Sequence, residues 1–341
     1  MQSKLIFLLT VPQFDMNTSR SQSRHEVLHR ADRRNFLTDA SVSRLIEIAL
    51  AEDIGTGDVT TESIINPEAR AQAFFLAKQS GVICGLQLVE QVFQAVIRRT
   101  VLDVSDEEVA QIYELFHWET FIEEGSRVLA GTEIARIEGN ARVLLLAERT
   151  ALNFLQRMSG VATQTSMYAS AVEGTGAQVI DTRKTIPGWR LLDKYAVRMG
   201  GGANHRTGLY DMAMIKDNHR DAAGGITAAL TLCNDDRNRL PAQQRFPIEV
   251  ETRTLEDVHE VLECLEAGLA VHRVMFDNFS PPQVRTAVQL VRGAIETEAS
   301  GGITLHNIRE YAETGVDFIS VGALTHSAAA LDISMKFTKR L

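Results

Sequence analysis

The sequence predicts an α/β protein whose C-terminal half is a parallel sheet curled into a barrel or part of one. Two observations carry this reading. From residue 177 onward, six short strand-like runs alternate with helical runs, the rhythm of β/α units in a parallel sheet. The ends of those strands collect polar residues, and a β/α barrel keeps its working groups there. A doubly wound open sheet is the competing architecture. It usually opens on a glycine-rich fingerprint after its first strand, and none follows "AQVIDT".

The elements can be justified in order. "DASVSRLIEIALAED" starts the folded part near Asp39, a helix N-cap followed by Leu45, Ile46, Ala49 and Leu50 at helical spacing. "IGTGDVTTESI" is a glycine-rich turn whose acids and threonines suit caps and turn hydrogen bonds. "AQAFFLAKQSGVICG" reads as strand and turn, and "LQLVEQVFQAVI" as an amphipathic helix. "FIEEGSRVLAGTEIARIEG" is a pair of strands joined around Gly125 and Gly131, without the lysine that a lipoyl- or biotinyl-carrying hairpin would need. It is scaffold. In "LLLAERTALNFLQRMSG", Ala151, Leu152, Phe154, Leu155 and Met158 form one apolar helical stripe, with Arg149 and Asn153 off its main part. The barrel rhythm then runs through "AQVIDT", "MAMIKDN", "FPIEVET", "RVMFDN", "IETEAS" and "VDFISVG". Val258, Val261, Leu262 and Leu265 mark one intervening helix. Residues 233–246, "CNDDRNRLPAQQRF", read as a long loop.

Composition bounds the partners. A formal net charge of -9 argues against bulk nucleic-acid affinity, which needs a basic surface. No apolar run approaches the ~20 residues of a membrane span. Cys84, Cys233 and Cys264 are odd in number and contain no C-x-x-C pair, so neither a disulfide frame nor a zinc site is expected. Residues 1–38 read as a disordered extension, with Met16 as an alternative start. "KLIFLLTVP" is short and lacks a small-residue cleavage site; the following Ser/Arg bias suits organellar targeting, but Asp15 and Glu26 count against it. Cytoplasmic placement is the expectation.

Against this acidic background, "DTRKTIPGWRLLDKYAVRMGGGANHR" concentrates cations. The strand ends supply Thr182, Arg183 and Lys184; Lys216, Asp217 and Asn218; Glu249 and Glu251; Asp277 and Asn278; Glu298 with Ser300, Gly301 and Gly302; and finally Gly322. Arg190, Lys194 and Arg198 lie at helical intervals and read as a solvated face. Arg183, Lys184, His205, Arg206 and Lys216 read as ligand contacts, because guanidinium forks match carboxylates and lysines supply point charges. Glu249 and Glu251 alternate by two and face the barrel interior together. Glu251 and Asp277, on adjacent strand ends, could share a divalent cation through hard oxygen ligands; whether Glu249 and Glu298 join them is left open. The Ser300–Gly302 loop before a helix, and Gly322 one strand later, suit a phosphate. The chemistry therefore wants a small polycarboxylate on the cationic side and a phosphorylated, metal-bound molecule on the other.

These residues, with "EDIGTGDVTT", "AERTALNFLQRMSGVAT", "EVET", "FDNF", "ASGGI" and "GVDFISVGALTHS", resemble the quinolinate phosphoribosyltransferase family from about Leu45 to the C-terminus. The resemblance implies an N-terminal α/β sandwich, residues 39–160, and a C-terminal incomplete α/β barrel of the TIM type, residues 161–341. The chain could return to the first domain near its end. It also implies transfer of phosphoribosyl from PRPP to quinolinate with decarboxylation, giving nicotinate mononucleotide for NAD biosynthesis. By motif matching, Arg149, Thr182, Arg183, Lys184, His205, Arg206 and Lys216 would surround the substrates. Glu251 and Asp277 would meet the ribose hydroxyls and Mg2+, and Ser300, Gly301, Gly302 and Gly322 would hold the 5′-phosphate. Lys184, Lys216, Glu251 and Asp277 would carry the catalysis, with no organic cofactor. The family pattern further implies a homodimer, or a higher oligomer, with Arg149 reaching the neighbouring site. A paralogue linked to molybdenum uptake, a Schiff-base aldolase using Lys216 and a non-enzymatic anion binder are the rival readings.

Overall fold

The computed structural model describes residues 36–100 and 116–340. Most of the expected extension, residues 1–35, lies outside the described residues, as does Met16. Its last three residues do not behave as an extension: Phe36–Thr38 form a 3-10 turn in which Phe36 and Leu37 are buried. Helix α1 (Ala40–Ile54) follows, capped by Asp39, whose Oδ1 accepts from the Ser41 amide at 2.9 Å. The "TGDVTT" segment opens α2 (Val59–Ile64) through a second cap, Asp58 accepting from the Thr60 and Thr61 amides at 3.0 Å. Each cap satisfies amides that the first turn of a helix leaves unpaired.

Period-two burial builds the first sheet. In β1 (Arg70–Ala77), Ala71, Ala73, Phe75 and Ala77 point inward while their neighbours stay half-exposed. A short strand β2 (Gly81–Val82) leads to α3 (Leu86–Thr100), whose Leu88, Val89, Val92, Phe93 and Val96 are buried. Phe75 and Phe93 meet edge to face at 6.3 Å. After β3 (His117–Thr120) and β4 (Arg127–Val128), β5 (Glu133–Asn140) pairs antiparallel with both β1 and β3. The fourth strand of this sheet is the C-terminal β12 (Ile333–Arg340), which covers the other edge of β1. The chain thus returns to its first domain after the barrel.

Helix α4 (Ala141–Ala171) is 31 residues long and joins the two domains. Its buried stripe holds Ala151, Leu152, Phe154, Leu155 and Met158, while Arg149 is exposed. Gln156 donates to the Ile333 carbonyl at 2.6 Å and Gln164 to the Ala323 carbonyl at 2.9 Å. Arg157 reaches the Ala328 carbonyl at 3.1 Å, the Thr325 carbonyl, and Asp193 at 3.2 Å. One side of α4 therefore bonds the chain where it leaves the barrel.

The barrel strands are β6 (Gln178–Ile180), β7 (Ala213–Ile215), β8 (Ile248–Thr252), β9 (Arg273–Asp277), β10 (Glu296–Ser300) and β11 (Phe318–Ser320). All their pairings are parallel, in the order β6-β11-β10-β9-β8-β7. This is a cyclic order with one seam, between β6 and β7. Only a bridge between Ile180 and Ala203 prolongs the sheet there. The result is an incomplete barrel rather than a doubly wound sheet. Helices α5 (Arg190–Met199), α6 (Asp217–Ala223), α7 (Ile226–Arg239), α8 (Leu255–Glu266), α9 (Pro281–Val291), α10 (Ile308–Ala312) and α11 (Ala323–His326) fill the connections. The expected loop at 233–246 is a correction: α7 runs to Arg239 and a 3-10 turn covers Ala242–Gln244. Its polar run is the wet face of a helix, pinned where Asn234 exchanges hydrogen bonds with Ala270 at 2.8 and 3.2 Å.

Gly160 marks the tightest point of the α4 contact, because a Cβ there would overlap the Ala329 carbonyl. Gly160→Ala should destabilise the protein by about 3 kcal/mol, an overpacking cost that backbone on backbone cannot relax. Urea unfolding of the two proteins checks this.

Candidate active site

The site is built outward from one buried carboxylate. β6 is followed at once by Asp181, fully buried, whose Oδ1 accepts from Lys194 Nζ at 2.5 Å and from the His205 amide at 2.9 Å. Its Oδ2 accepts from Asn204 at 2.7 Å, and Lys194 also donates to the His205 carbonyl at 2.8 Å. The loop carrying His205 and Arg206 is thereby tied to the first barrel strand. This corrects the solvated-face reading. Lys194 is 0% exposed, Arg190 bonds Thr185 and the Thr207 carbonyl at 3.2 Å, and Arg198 lies 4.6 Å over the Phe36 ring. Helical spacing alone does not say which stripe of a barrel helix faces the sheet, and here the inward stripe includes a lysine with its own buried counter-ion.

The strand ends open into a cavity of about 690 Å³. Thr182, Arg183, Lys184, His205, Arg206 and Lys216 line one part of it. Glu251, Asp277, Glu298 and the Ser300–Gly302 loop line the rest. Gly322 sits beside Lys184: a Cβ on it would be 3.1 Å from Lys184 Cδ. Glu249 lies buried behind His205, outside the lining. Arg149, on exposed α4 surface, is not among the lining residues. The glycine loop is required by its backbone: Gly301 has φ +96°, and a Cβ there would overlap the Asn278 side chain.

The charges divide the cavity. Arg206 is half-buried, and burial followed by the like charge of Arg183 pulls its pKa down. The buried Nε of Arg183 has no hydrogen-bond partner among the described residues. Two crowded guanidiniums with a spare donor make a site for an anion. Burial disfavours the charged ring of His205. Glu298 and Glu249, 3.4 and 3.1 Å from its Nε2, pull the pKa up against this, while the Arg206 amide donating to Nδ1 at 2.6 Å favours the neutral ring. On the other side, burial and then the charge of Asp277 raise the Glu251 carboxyl, against the pull of Lys216 at 3.7 Å. Two crowded acids are the complementary invitation to a cation.

Sequence reasoning missed two arginines. Arg253, one residue beyond β8, bonds Asp217 at 2.6 Å and lies 3.7 Å from Glu251 and 3.9 Å from Asp277. Arg273, 2% exposed inside β9, bonds Glu296 and Glu298 at 2.9 Å and lies 4.1 Å from the Phe318 ring. The period-two rule that turned Glu249 and Glu251 inward also applies to Arg273 and Asp277, so that signal was available.

Two family models match, together covering most of the chain. Residues 58–159 match the quinolinate phosphoribosyl transferase N-terminal domain, and residues 161–336 match its C-terminal domain. The chain belongs to the quinolinate phosphoribosyltransferase family. It is 41% identical over 313 residues to "Quinolinate phosphoribosyltransferase [decarboxylating] 2, mitochondrial" of Nicotiana glauca, covering 88% of this chain and 83% of that one. It is 40% identical over 297 residues to the "Probable nicotinate-nucleotide pyrophosphorylase [carboxylating]" of Bacillus subtilis, covering 87% and 93%. The crystal structure of NadC from Streptococcus pyogenes superposes with a TM-score of 0.76 at 35% identity, covering 88% of this chain and 97% of that one. In this quinolinate phosphoribosyltransferase, the Asp181–Lys194 pair and the His205–Arg206 loop form one structural unit.

Lys194→Met would leave Asp181 buried without its cation. Loss of one partner of a buried pair costs about 3–5 kcal/mol, so the variant should unfold at markedly lower urea concentration. A stability within 1 kcal/mol of the parent, a threshold of about the size of a surface ion pair, would contradict the role given to the pair.

Proposed function

We propose that the chain transfers the phosphoribosyl group of PRPP to quinolinate and releases pyrophosphate and CO2, leaving nicotinate mononucleotide. The observation that carries this reading is the division of one cavity into a guanidinium–imidazole end and an acid-and-glycine end. Quinolinate brings two carboxylates to Arg183, Arg206 and His205. PRPP brings its ribose to Glu251 and Asp277 and its 5′-phosphate to Ser300, Gly301, Gly302 and Gly322.

Glu251 and Asp277 offer hard carboxylate oxygens at adjacent strand ends, and their mutual repulsion is what Mg2+ would relieve. They fit the ion. When bound it neutralises charge on the pyrophosphate and its ribosyl ester. Lys184 and Lys216 add point charges beside the departing pyrophosphate. The ring nitrogen of quinolinate then forms its bond to the ribosyl carbon as the carbon–oxygen bond to pyrophosphate breaks. The nitrogen becomes formally positive. Loss of CO2 from the adjacent carbon leaves its electron pair on the ring, stabilised by that charge, and a proton from solvent replaces the carboxylate. The side chains orient and balance charge; no covalent intermediate with the protein is needed.

A homodimer is part of the proposal, with Arg149 completing the neighbour's site. Its exposure on α4, away from the cavity of its own subunit, supports this. Among the described residues no helix is long and apolar enough to cross a membrane. Cytoplasmic placement is likewise proposed, supported by three free cysteines. Finding the full-length protein imported into an organelle would instead assign residues 1–38 a targeting role.

The deciding assay is release of CO2 from quinolinate that depends on added PRPP and Mg2+. In it, Arg206→Ala should weaken quinolinate by about 1.5–3 kcal/mol, the worth of a charge-assisted contact, and PRPP far less. Equal losses for both substrates would refute the assignment of the cationic end.

Arg149→Ala and Lys184→Ala should each be nearly inactive alone. Co-refolding them places both lesions in one site of each hybrid dimer and leaves the other intact. Activity should return to about a quarter of the unmodified level for random assortment in a two-fold assembly. Hybrids verified by mass that recover nothing would place Arg149 in its own subunit or at the interface only.

A further inference from the structure

Behind the cationic end of the cavity lies a set of buried charges that the proposed chemistry leaves unused. Glu249 on β8, Arg273 on β9, and Glu296 and Glu298 on β10 are all nine-tenths or more buried. Arg273 accounts for two of the three acids, bonding Glu296 through Nε and Nη2 at 3.1 and 2.9 Å and Glu298 through Nη1 at 2.9 Å. Glu249 is left over. It is 0% exposed, and neither carboxylate oxygen has a hydrogen-bond partner among the described residues. The His205 ring touches it, Nε2 to Oε2 at 3.1 Å. The Arg273 guanidinium attracts Glu249 through space without bonding it, and a carboxylate held out of water with no hydrogen bond is costly to the fold, so its charge calls for a use.

One use is excluded by the geometry. His205, Glu249 and Glu298 could be grouped as metal ligands, their atoms lying within 4.8 Å of one another. However, the Arg206 amide lies 2.6 Å from His205 Nδ1 and donates to it. An Nδ1 that accepts a hydrogen bond carries no proton, so in this arrangement the ring is neutral and its single proton sits on Nε2. Nε2 therefore carries a proton, not a lone pair, and lies 3.1 and 3.4 Å from the two carboxylates without a formed hydrogen bond. The ring is held at Nδ1 by the Arg206 backbone and touches the Glu249 side at Nε2.

We propose that Glu249 is a positioning residue for the carboxylate-binding pair His205 and Arg206, attracting the His205 ring through its Nε2 proton and balancing the Arg206 guanidinium from beneath. The inference rests on the reading of that end as the quinolinate site. The balancing charge arrives from the side away from the cavity, so it occupies none of the donors that face the ligand. Glu298 lines the cavity and is engaged by Arg273, which leaves Glu249 as the acid dedicated to the ring. The arrangement follows the logic of outer groups that orient a ligand-binding histidine.

The test is Glu249→Gln, which keeps size and removes charge, beside Glu249→Asp, which keeps charge on a shorter arm. Quinolinate is titrated calorimetrically into each protein, and KM for quinolinate and PRPP and kcat are measured where turnover occurs. Glu249→Gln should keep a cooperative melt and bind quinolinate about tenfold more weakly, the size of effect seen when such an orienting group is lost. Its PRPP KM and kcat should stay within about twofold, the signature of lost ground-state binding. Glu249→Asp should fall between Glu249→Gln and the parent for quinolinate. If Glu249→Gln does not fold, the same ranking of Glu249→Asp against the parent decides. An unchanged quinolinate affinity, or equal losses for both substrates, overturns the inference. A parent that binds quinolinate without turning it over overturns the activity but leaves this comparison intact; one that binds none overturns both.

Discussion

The buried ion pair of Asp181 and Lys194 is the constraint on which the rest of the site depends. It sits at the end of the first barrel strand, next to the seam where the ring of strands does not close. Along that seam, among the described residues, the ladder reaches no further than the bonds of Ala203 to Val179 and Asp181, so the loop beyond it needs a further hold. Asp181 does so by accepting from the Lys194 side chain, the Asn204 side chain and the His205 amide together. With both oxygens used, the desolvation of the pair is offset by hydrogen bonds of good geometry, the condition under which buried pairs are tolerated. His205 and Arg206 inherit their positions from this arrangement.

From there the charges are layered. Arg273 bonds two acids inside the barrel, Glu249 and Glu298 face the His205 ring, and Arg183 and Arg206 line the cavity above them. Across the cavity Glu251 and Asp277 repel one another, with Lys216 and Arg253 screening them from 3.7–3.9 Å. Neither half is satisfied by the protein alone. A ligand that carries carboxylates at one end and a metal-bound phosphate ester at the other completes both, and preorganised charge of this kind needs no rearrangement at the moment of reaction.

Long helix α4 gives the two domains a common spine. Its apolar stripe is spent on packing, and Gln156, Arg157 and Gln164 bond carbonyls of the C-terminal segment. The return of β12 to cover the edge of β1 removes an exposed strand edge. With one face of α4 committed in this way, Arg149 is left on the outside.

Sequence alone determined the alternation of strands and helices in the second half, the polar strand ends, and the inward pairing of Glu249 with Glu251. These follow from local periodicities, which a single chain displays without knowledge of its neighbours. It also carried the acidic-threonine turn into α2, because capping is a local hydrogen bond. What it left undecided depends on which stripe of a helix meets which strand. Lys194 has the spacing of a surface residue and is buried, since its partner Asp181 lies thirteen positions away on another element. Residues 233–239 have loop-like composition and are helical, since Asn234 is anchored to Ala270. Arg273 and Glu249 each obey the strand period, but their division of labour appears only when β8, β9 and β10 lie side by side. Pairing between distant buried charges is set by tertiary distance, and no local pattern encodes it.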